Sequence, residues 1–397
     1  MPNTLAPEVL EYRDRITGRT VRQLTHHKAH SQHLYFTNPG WFDGGRRLVF
    51  GSDRGNRTNL YSVELESGLI TQHTDADMPG PPNETSFLFA SLSPTRPEAY
   101  FWRGRQMIGV DLHTNREREI YRAPDAFNVN MTNVSADGKF VLTGLYEDLS
   151  HKFTVDLLNG YVGFKEYHDA RPRSIIIAVP TDGGPAREVW AENYWIGHVN
   201  TSPTLPSILT FCHEGPWHEV DNRIWGLDIS SGKVWPIRQR TSPREVVGHE
   251  YWHADGVHIG YHGETHRPQT LEAAPLGPAG EKIFGHVRYD DTEKFEVAFP
   301  HATGHVHSNS FELIVGDGMG DPGKKVIRLW KWNNLTGLFD GPRVLCEHRG
   351  SFQVQQLHVH PRFSPDGKKV VYTSDRTGYG QVYEVEIGDF ETLPLLD

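Results

Sequence analysis

The chain has 397 residues and a net charge of −10 at neutral pH. This acidic balance argues against a general nucleic-acid binder and against a binder of anionic membranes, because both need a basic field. The 39 glycines, 26 prolines and 11% aromatic residues are typical of many short strands joined by tight turns, so we expect an all-β protein.

The N-terminal stretch MPNTLAPEVLEYRDRITG lacks the basic start and apolar core of a secretory signal peptide. No uncharged apolar run reaches the length that a membrane span needs. Cys212 and Cys346 are the only cysteines, which is too few for a disulfide framework. These features predict a cytoplasmic protein without a membrane partner.

A repeated unit runs along the chain, in which a polar turn and an S/T-x-D-G corner lead into two strand-like runs. The first copy is GWFDGGRRLVFGSDRGNRTNLYSVEL and the last is FSPDGKKVVYTSDRTGYGQVYEVEI. The seven copies lie at residues 40–65, 90–112, 132–148, 200–232, 250–266, 307–332 and 363–387. This spacing predicts one seven-bladed β-propeller domain over residues 1–397, and a set of β-sandwich domains is the alternative.

The N-terminal segment YRDRITGRTVRQLT contains two further strand-like pieces. We expect these pieces to join the last blade and close the ring. In a propeller, the residues that enter each innermost strand face the central channel, where ligands collect. The polar residues at these entrances are His198 in blade four, His249 and His253 in blade five, His301, His305 and His307 in blade six, and Gln355, His358 and His360 in blade seven.

Two residues of blades four and five are candidates for chemistry on an anionic substrate. Arg223 can bind a carboxylate through its planar guanidinium, although a surface arginine paired with Asp221 or Glu219 has the same sequence signature. His249 can act as a general base because imidazole titrates near neutral pH, and a purely structural role is the alternative.

Two H-x-H pairs in consecutive blades predict a metal site. On a strand, residues two apart share a face, so His358 and His360 would point together, as would His305 and His307. Gln355 adds an oxygen donor. Imidazole and amide donors suit Mn, Zn, Fe or Ni; the alternative is histidines that hydrogen-bond neighbouring loops.

These motifs together resemble the oligogalacturonate lyase family of cytoplasmic seven-bladed propellers. The likeness covers nearly the whole chain and includes LVFGSD with NLYSVEL, FCHEGP with VDNRIW, VGHEYWHADG, HVHSN with LIVGDG, and a closing Q-x-x-H-x-H-P-x-F-S-P-D. The S-P-D-G corners are shared with other propellers, whereas FCHEGP with the downstream R-x-W, SN followed by VGDG, and Q-x-x-H-x-H-P are specific in combination.

The resemblance implies a divalent cation, usually Mn²⁺, bound by Gln355, His358 and His360. The fourth ligand is implied to be His305, from an H-x-x-S-N motif. His307 lies two positions further along and is the alternative ligand.

The resemblance also implies roles for three other residues. His249 falls where the family has its proton-abstracting base, Arg223 falls where a substrate-contacting arginine lies, and His213 belongs to the pocket wall. The implied reaction is β-elimination on short oligogalacturonates, small anionic oligosaccharides, which yields 4,5-unsaturated products. The alternatives are another uronic-acid oligosaccharide that contains glucuronate, a hydrolase or isomerase using the same metal, and a non-catalytic interaction scaffold.

The chain departs from the family pattern close to the predicted pocket. Blade three carries the insertion LLNGYVGFKEYHDARPRS, the segment from VGDG to Gln355 is short, and histidines are dense in blades five and six. These departures bear on the identity of the substrate more than on the reaction. The sequence predicts no oligomeric state.

Overall fold

The computed structural model describes residues 3–76, 87–157, 160–241, 245–265, 281–299, 303–321 and 323–396. These described residues form seven antiparallel sheets, which follow one another along the chain as the blades of a β-propeller. The prediction of an all-β, seven-bladed propeller is confirmed.

The described N-terminal segment contributes strands to both the first and the last blade. Its strands are β1 (Asn3–Leu5), β2 (Leu10–Arg13) and β3 (Thr20–Gln23). Strand β1 is the outer strand of blade one, while β2 and β3 extend blade seven, where Val21 pairs with Val385. The two ends of the chain therefore share one sheet.

The first four blades run along the chain as antiparallel meanders. Blade one adds β4 (Ser31–His33), β5 (Trp41–Phe42), β6 (Arg47–Ser52), β7 (Asn59–Glu64) and β8 (Ile70–Gln72). Blade two contains β9 (Ser91–Leu92), β10 (Glu98–Arg103), β11 (Gln106–Asp111) and β12 (Glu117–Arg122). Blade three contains β13 (Phe127–Val134), β14 (Phe140–Glu147), β15 (Arg173–Pro180) and β16 (Arg187–Asn193). Blade four contains β17 (Ile196–Thr201), β18 (Ile208–His213), β19 (Ile224–Asp228) and β20 (Lys233–Ile237).

The last three blades follow the same plan. Blade five contains β21 (Val246–Trp252), β22 (His258–Glu264), β23 (Lys282–Arg288) and β24 (Phe295–Ala298). Blade six contains β25 (Val306–His307), β26 (Leu313–Gly316), β27 (Val326–Asn333) and β28 (Leu338–Glu347). Blade seven contains β29 (Arg362–Phe363), β30 (Lys369–Ser374) and β31 (Gln381–Glu386). Short 3-10 helices occur at Arg54–Asn56, Gln355–Leu357 and Phe390–Thr392.

The S-x-D-G corners explain why the sequence turns between strands. In the last blade, the hydroxyl of Ser364 donates to Asp366 at 2.6 Å, and the amide of Gly367 donates to the Ser364 carbonyl at 2.9 Å. Gly367 has φ +69° and the corresponding Gly138 has φ +72°. Because a Cβ disfavours positive φ, glycine suits these positions.

The insertion of blade three forms the one α-helix of the described residues, α1 (Phe164–Ala170). Its Tyr167 ring is fully buried against Trp195 and Leu149. The ring of His168 hydrogen-bonds the backbone carbonyl of Glu214 at 3.2 Å, so the insertion rests on the turn that follows β18. Among the described residues, no helix has the length and apolar character needed to cross a membrane.

Consecutive blades meet through apolar faces, and their first strands line the central channel. Strand β9 contacts β13, β13 contacts β17, β17 contacts β21, and β25 contacts β29. Tyr35 and Phe36, in the segment after β4, are buried among residues of several blades, including Met131 and Tyr251. Their rings lie against histidines of blades four to seven, namely His198, His249, His305 and His360.

Candidate metal centre and catalytic pocket

β-Bulges point two histidines away from the regular faces of their sheets. In blade four the pairing register of β17 shifts between Gly197 and Asn200, and His198 between them has φ +46°. In blade five the register of β21 shifts between Gly248 and Tyr251, and His249 has φ +50°. A bulge commonly redirects a side chain at a functional site.

Three histidines from blades six and seven form a compact cluster. His305, His358 and His360 are all buried, and each offers a ring nitrogen within 4.8 Å of the other two. The ring centroid of His305 lies 4.3 Å from that of His360 and 5.3 Å from that of His358. This geometry allows one cation to contact all three rings.

Two ring nitrogens of the cluster make no hydrogen bond to the part of the chain that the structure describes, and neither does Oε1 of Gln355, three positions before His358 in the sequence. The two ring nitrogens are Nδ1 of His358 and Nε2 of His360, and all three atoms are buried. Buried polar atoms without partners are rare in proteins and call for an explanation. A divalent cation fits this donor set of imidazole nitrogen and amide oxygen.

The protonation states of the cluster suit a metal site. Burial, together with the charge of His305, lowers the pKa of His358 to about 4. The same two effects lower the pKa of His360 well below its usual range. Neutral imidazoles keep a lone pair for a cation, because no proton competes for it near pH 7.

A carboxylate orients the third ring of the cluster. Nδ1 of His305 lies 2.7 Å from Oδ2 of Asp317, whose side chain is fully buried. Nε2 is therefore the ring nitrogen of His305 that is left to contact a cation. Carboxylate–histidine pairs of this kind support metal ligands in many proteins.

His307 takes no part in the cluster. Its ring accepts a hydrogen bond from the amide of Phe363 at 3.3 Å and lies 5.2 Å from the Tyr251 ring. The structure thus brings His305, and not His307, to His358 and His360. His301 lies outside the described residues.

The reasoning that His358 and His360 share a strand face is wrong. Both residues precede β29, in an irregular segment after the 3-10 helix at Gln355–Leu357, and His360 has φ +45°. The left-handed conformation at His360, and not strand periodicity, sets the direction of this ring. Gln355 is the first residue of that 3-10 helix.

His249 lies beside the cluster, with its ring centroid 4.7 Å from that of His305. Burial, followed by the charges of His305, His262 and Arg223, lowers the pKa of His249 well below 6.5. Its Nδ1 lies 2.9 Å from Nε2 of His262. Nε2 of His249 makes no hydrogen bond to other described residues, so this nitrogen is available to a substrate.

Arg223 is buried and bound by two carboxylates. Nη1 lies 2.9 Å from Oε1 of Glu214, and Nε lies 3.3 Å from Oε2 of Glu250. The expected alternative, a surface arginine paired with Asp221 or Glu219, is wrong. The Nη2 group of Arg223 makes no hydrogen bond within the described ranges and can bind a ligand.

The remaining predicted residues surround this centre at different distances. His198 contacts Glu214 at 3.4 Å, so it belongs to the arginine side of the pocket.

His213 and His253 lie further from the cluster. The ring of His213 stacks on that of Tyr194 at 3.7 Å and hydrogen-bonds Asp221 at 2.6 Å. The backbone amide of His213 donates to the backbone carbonyl of Arg223. His253 is buried against Tyr251, away from the cluster.

Sequence reasoning missed several residues of the pocket. Three of them, Asp317, Glu214 and Glu250, belong to the motifs VGDG, CHEGP and GHEYW, but these motifs alone did not indicate what the carboxylates contact.

No sequence motif marks the other residues of the pocket, which are Tyr35, Phe36, Trp217 and His262. His262, Trp217 and His249 line a cleft of about 190 Å³ beside the candidate base.

Comparison with known proteins gives a consistent result. A family model described as oligogalacturonate lyase matches residues 4–268. The chain is 27% identical to the oligogalacturonate lyase of Dickeya dadantii (strain 3937) over 95% of this chain and 96% of that protein. It is 28% identical to the oligogalacturonide lyase of Pectobacterium atrosepticum, with the same coverage.

Solved structures share the fold. An oligogalacturonate lyase in complex with manganese superposes with a TM-score of 0.84 at 23% identity, covering 98% of both chains. An oligogalacturonate lyase from Vibrio parahaemolyticus superposes with a TM-score of 0.83 at 22% identity, covering 98% of this chain and 99% of that one.

Proposed function

Because the chain belongs to the oligogalacturonate lyase family, we propose that it is a metal-dependent lyase that cleaves short oligogalacturonates by β-elimination. The observation that supports this proposal most is the 4.7 Å separation between the rings of His249 and His305. A candidate base thus lies next to a cluster whose chemistry suits a cation. That arrangement is what proton removal beside a carboxylate requires.

The metal ligands in this proposal are the ring nitrogens of His305, His358 and His360 and the side-chain oxygen of Gln355. The lyase of known structure named above contains manganese, and this donor set accepts Mn²⁺. When bound, such a cation supplies positive charge that polarises the carboxylate of a uronate and makes its C5 hydrogen more acidic.

The charge of the pocket also favours metal dependence. Arg223 carries one positive charge, while Glu214 and Glu250, both in contact with it, carry two negative charges. The histidines His249 and His358 are neutral near pH 7, because burial lowers the pKa of each. An anionic sugar needs more positive charge than these side chains supply.

In the proposed reaction, Nε2 of His249 removes the C5 proton of the uronate. The electrons of the C5–H bond form the C4=C5 double bond while the bond from C4 to the glycosidic oxygen breaks. The departing oxygen takes up a proton from water and leaves as the hydroxyl of the second sugar, and His249 then gives the C5 proton to the hydroxide that remains. Arg223 donates from Nη2 to a substrate carboxylate or to the departing oxygen, while Glu214 and Glu250 hold Nη1 and Nε and so fix the plane of the guanidinium.

The test is ultraviolet absorbance at the unsaturated-uronate band, with purified protein and digalacturonate before and after chelation. We expect a rise that chelator abolishes and Mn²⁺ restores, because elimination alone makes the conjugated double bond. A glucuronate-containing oligosaccharide, assayed in parallel, identifies the alternative substrate. Cleavage without absorbance would indicate a hydrolase instead. A cytoplasmic location stays a prediction.

A further inference from the structure

We propose that His262 is a positioning residue that holds His249 in the tautomer whose Nε2 carries no proton. This inference rests on the proposed function, in which His249 is the base. Nδ1 of His249 lies 2.9 Å from Nε2 of His262, and the two ring planes are nearly parallel, 12° apart, with centroids separated by 5.2 Å. Strand register sets this contact, because His262 on β22 pairs with Gly248, next to His249.

The proposed role of His249 decides which ring donates. A ring nitrogen can remove the C5 proton only while it carries no proton itself, so in the base Nε2 of His249 has none. Nδ1 then carries the one N–H of the neutral ring and points it at Nε2 of His262, 2.9 Å away.

His262 is able to accept this hydrogen bond. Burial lowers the pKa of His262 to about 4, so near pH 7 its ring is neutral and one of its two nitrogens carries no proton. With Nε2 as the acceptor, Nδ1 carries the proton of His262. Nε2 of His249 makes no hydrogen bond to other described residues and is left for the substrate.

Gly304, which lines the same cleft as His262, also hydrogen-bonds the carboxylate that orients the proposed metal ligand His305. The amide of Gly304 donates to Oδ1 of Asp317 at 2.9 Å, while Oδ2 of that carboxylate lies 2.7 Å from Nδ1 of His305. One buried carboxylate thus holds both Gly304, which lines the same cleft as His262, and the ring that faces the cation.

Neutron diffraction on perdeuterated, metal-loaded crystals near pH 7 tests the tautomer directly. We expect deuterium on Nδ1 of both His249 and His262 and none on Nε2 of His249. Deuterium on Nε2 of His249 would overturn the inference. This measurement needs no turnover and no variant, so it is separate from the absorbance assay that tests the proposed function.

Kinetics test whether the contact matters for the reaction. His262→Leu removes the acceptor and should lower kcat about 100-fold, the effect of a misaligned general base, with KM changed by less than about twofold. His262→Gln offers an amide oxygen near the position of Nε2 and should recover most of that loss. Equal kcat values for the two variants, or wild-type kcat in His262→Leu, would contradict the proposal.

A matched control separates positioning from structure. His286→Leu changes a histidine on the neighbouring strand β23, whose ring packs on Phe311 outside the pocket. We expect wild-type kcat in this variant. If His286→Leu loses as much kcat as His262→Leu does, the loss in His262→Leu comes from a weakened blade five and not from the position of the base.

Discussion

The side chains of His305 and Asp317 form a buried pair in which Nδ1 of the ring lies 2.7 Å from Oδ2 of the carboxylate. Burial opposes ionisation of Asp317, but the hydrogen bond and charge of His305, together with backbone amides, keep the pKa of Asp317 well below its usual range. The carboxylate therefore stays ionised and can hold the ring with Nε2 toward the cluster.

Asp317→Asn is predicted to weaken metal binding without removing a proposed ligand. Loss of the ionised partner makes the His305 ring a poorer donor and frees its orientation, and changes of this kind lower metal affinity about 10- to 100-fold. Calorimetric titration with Mn²⁺ measures the affinity. We also expect activity to return at high Mn²⁺ concentration.

The matched control for this change is Asp340→Asn, which alters an exposed aspartate on β28 of the same blade. Its Mn²⁺ affinity should equal that of the wild type. If Asp317→Asn binds Mn²⁺ as tightly as the control does, the carboxylate is structural only.

His305→Ala and His307→Ala are predicted to differ in metal content. His305 belongs to the three-ring cluster, whereas the His307 ring accepts a hydrogen bond from the Phe363 amide and packs near Tyr251. Metal analysis after dialysis should show less than one ion per chain in His305→Ala and one ion in His307→Ala. His307→Ala should lower the thermal midpoint, because it empties a buried position. The reverse metal contents would assign His307 as the ligand.

The fold could be predicted because its signals are local. Ser364, Asp366 and Gly367 hydrogen-bond one another within a single corner, and glycine adopts the positive φ that the turn needs. Repetition of such corners with alternating strands indicates a propeller before any long-range contact is known.

The site was less predictable, because its contacts join distant parts of the chain. His262 meets His249 only through strand register, and Phe36 reaches the channel from blade one. The H-x-H spacing suggested a strand, yet His360 adopts a left-handed conformation outside any strand. Contacts with distant parts of the chain hold the backbone of His360 in this conformation, and the H-x-H spacing alone does not predict it.

Arg223→Lys is predicted to lower kcat/KM while the protein stays folded. Lysine keeps the positive charge near Glu214 and Glu250 but loses the planar fork, and with it Nη2. We expect a loss of about 100-fold, which corresponds to nearly 3 kcal/mol of transition-state stabilisation. The absorbance assay with digalacturonate measures it.

Arg238→Lys is the control for this change. Arg238 is equally buried and also binds two carboxylates, Glu245 at 2.8 Å and Glu296 at 2.6 Å, outside the pocket. Both variants should unfold at lower denaturant concentration, but only Arg223→Lys should lose activity in the folded state. Equal activity losses would indicate that Arg223 acts only through stability.

Glu214 makes the stability of the blade-four turn depend on pH. Burial raises its pKa, but the charge of Arg223 and the hydrogen bond from His198 lower the pKa by more than burial raises it. The pKa of Glu214 in the folded protein therefore lies well below 4.5. Near pH 4.5 the unfolded chain therefore binds more protons than the folded protein does. The stabilisation is fully present above that pH and is lost progressively as the pH falls from there toward the folded pKa. Glu214→Gln should remove this dependence, so the urea midpoints of the two proteins should converge as the pH falls from 6 to 3. Glu386→Gln, at an exposed position on β31, should follow the wild type. Parallel curves for wild type and Glu214→Gln would show that another buried carboxylate controls acid unfolding.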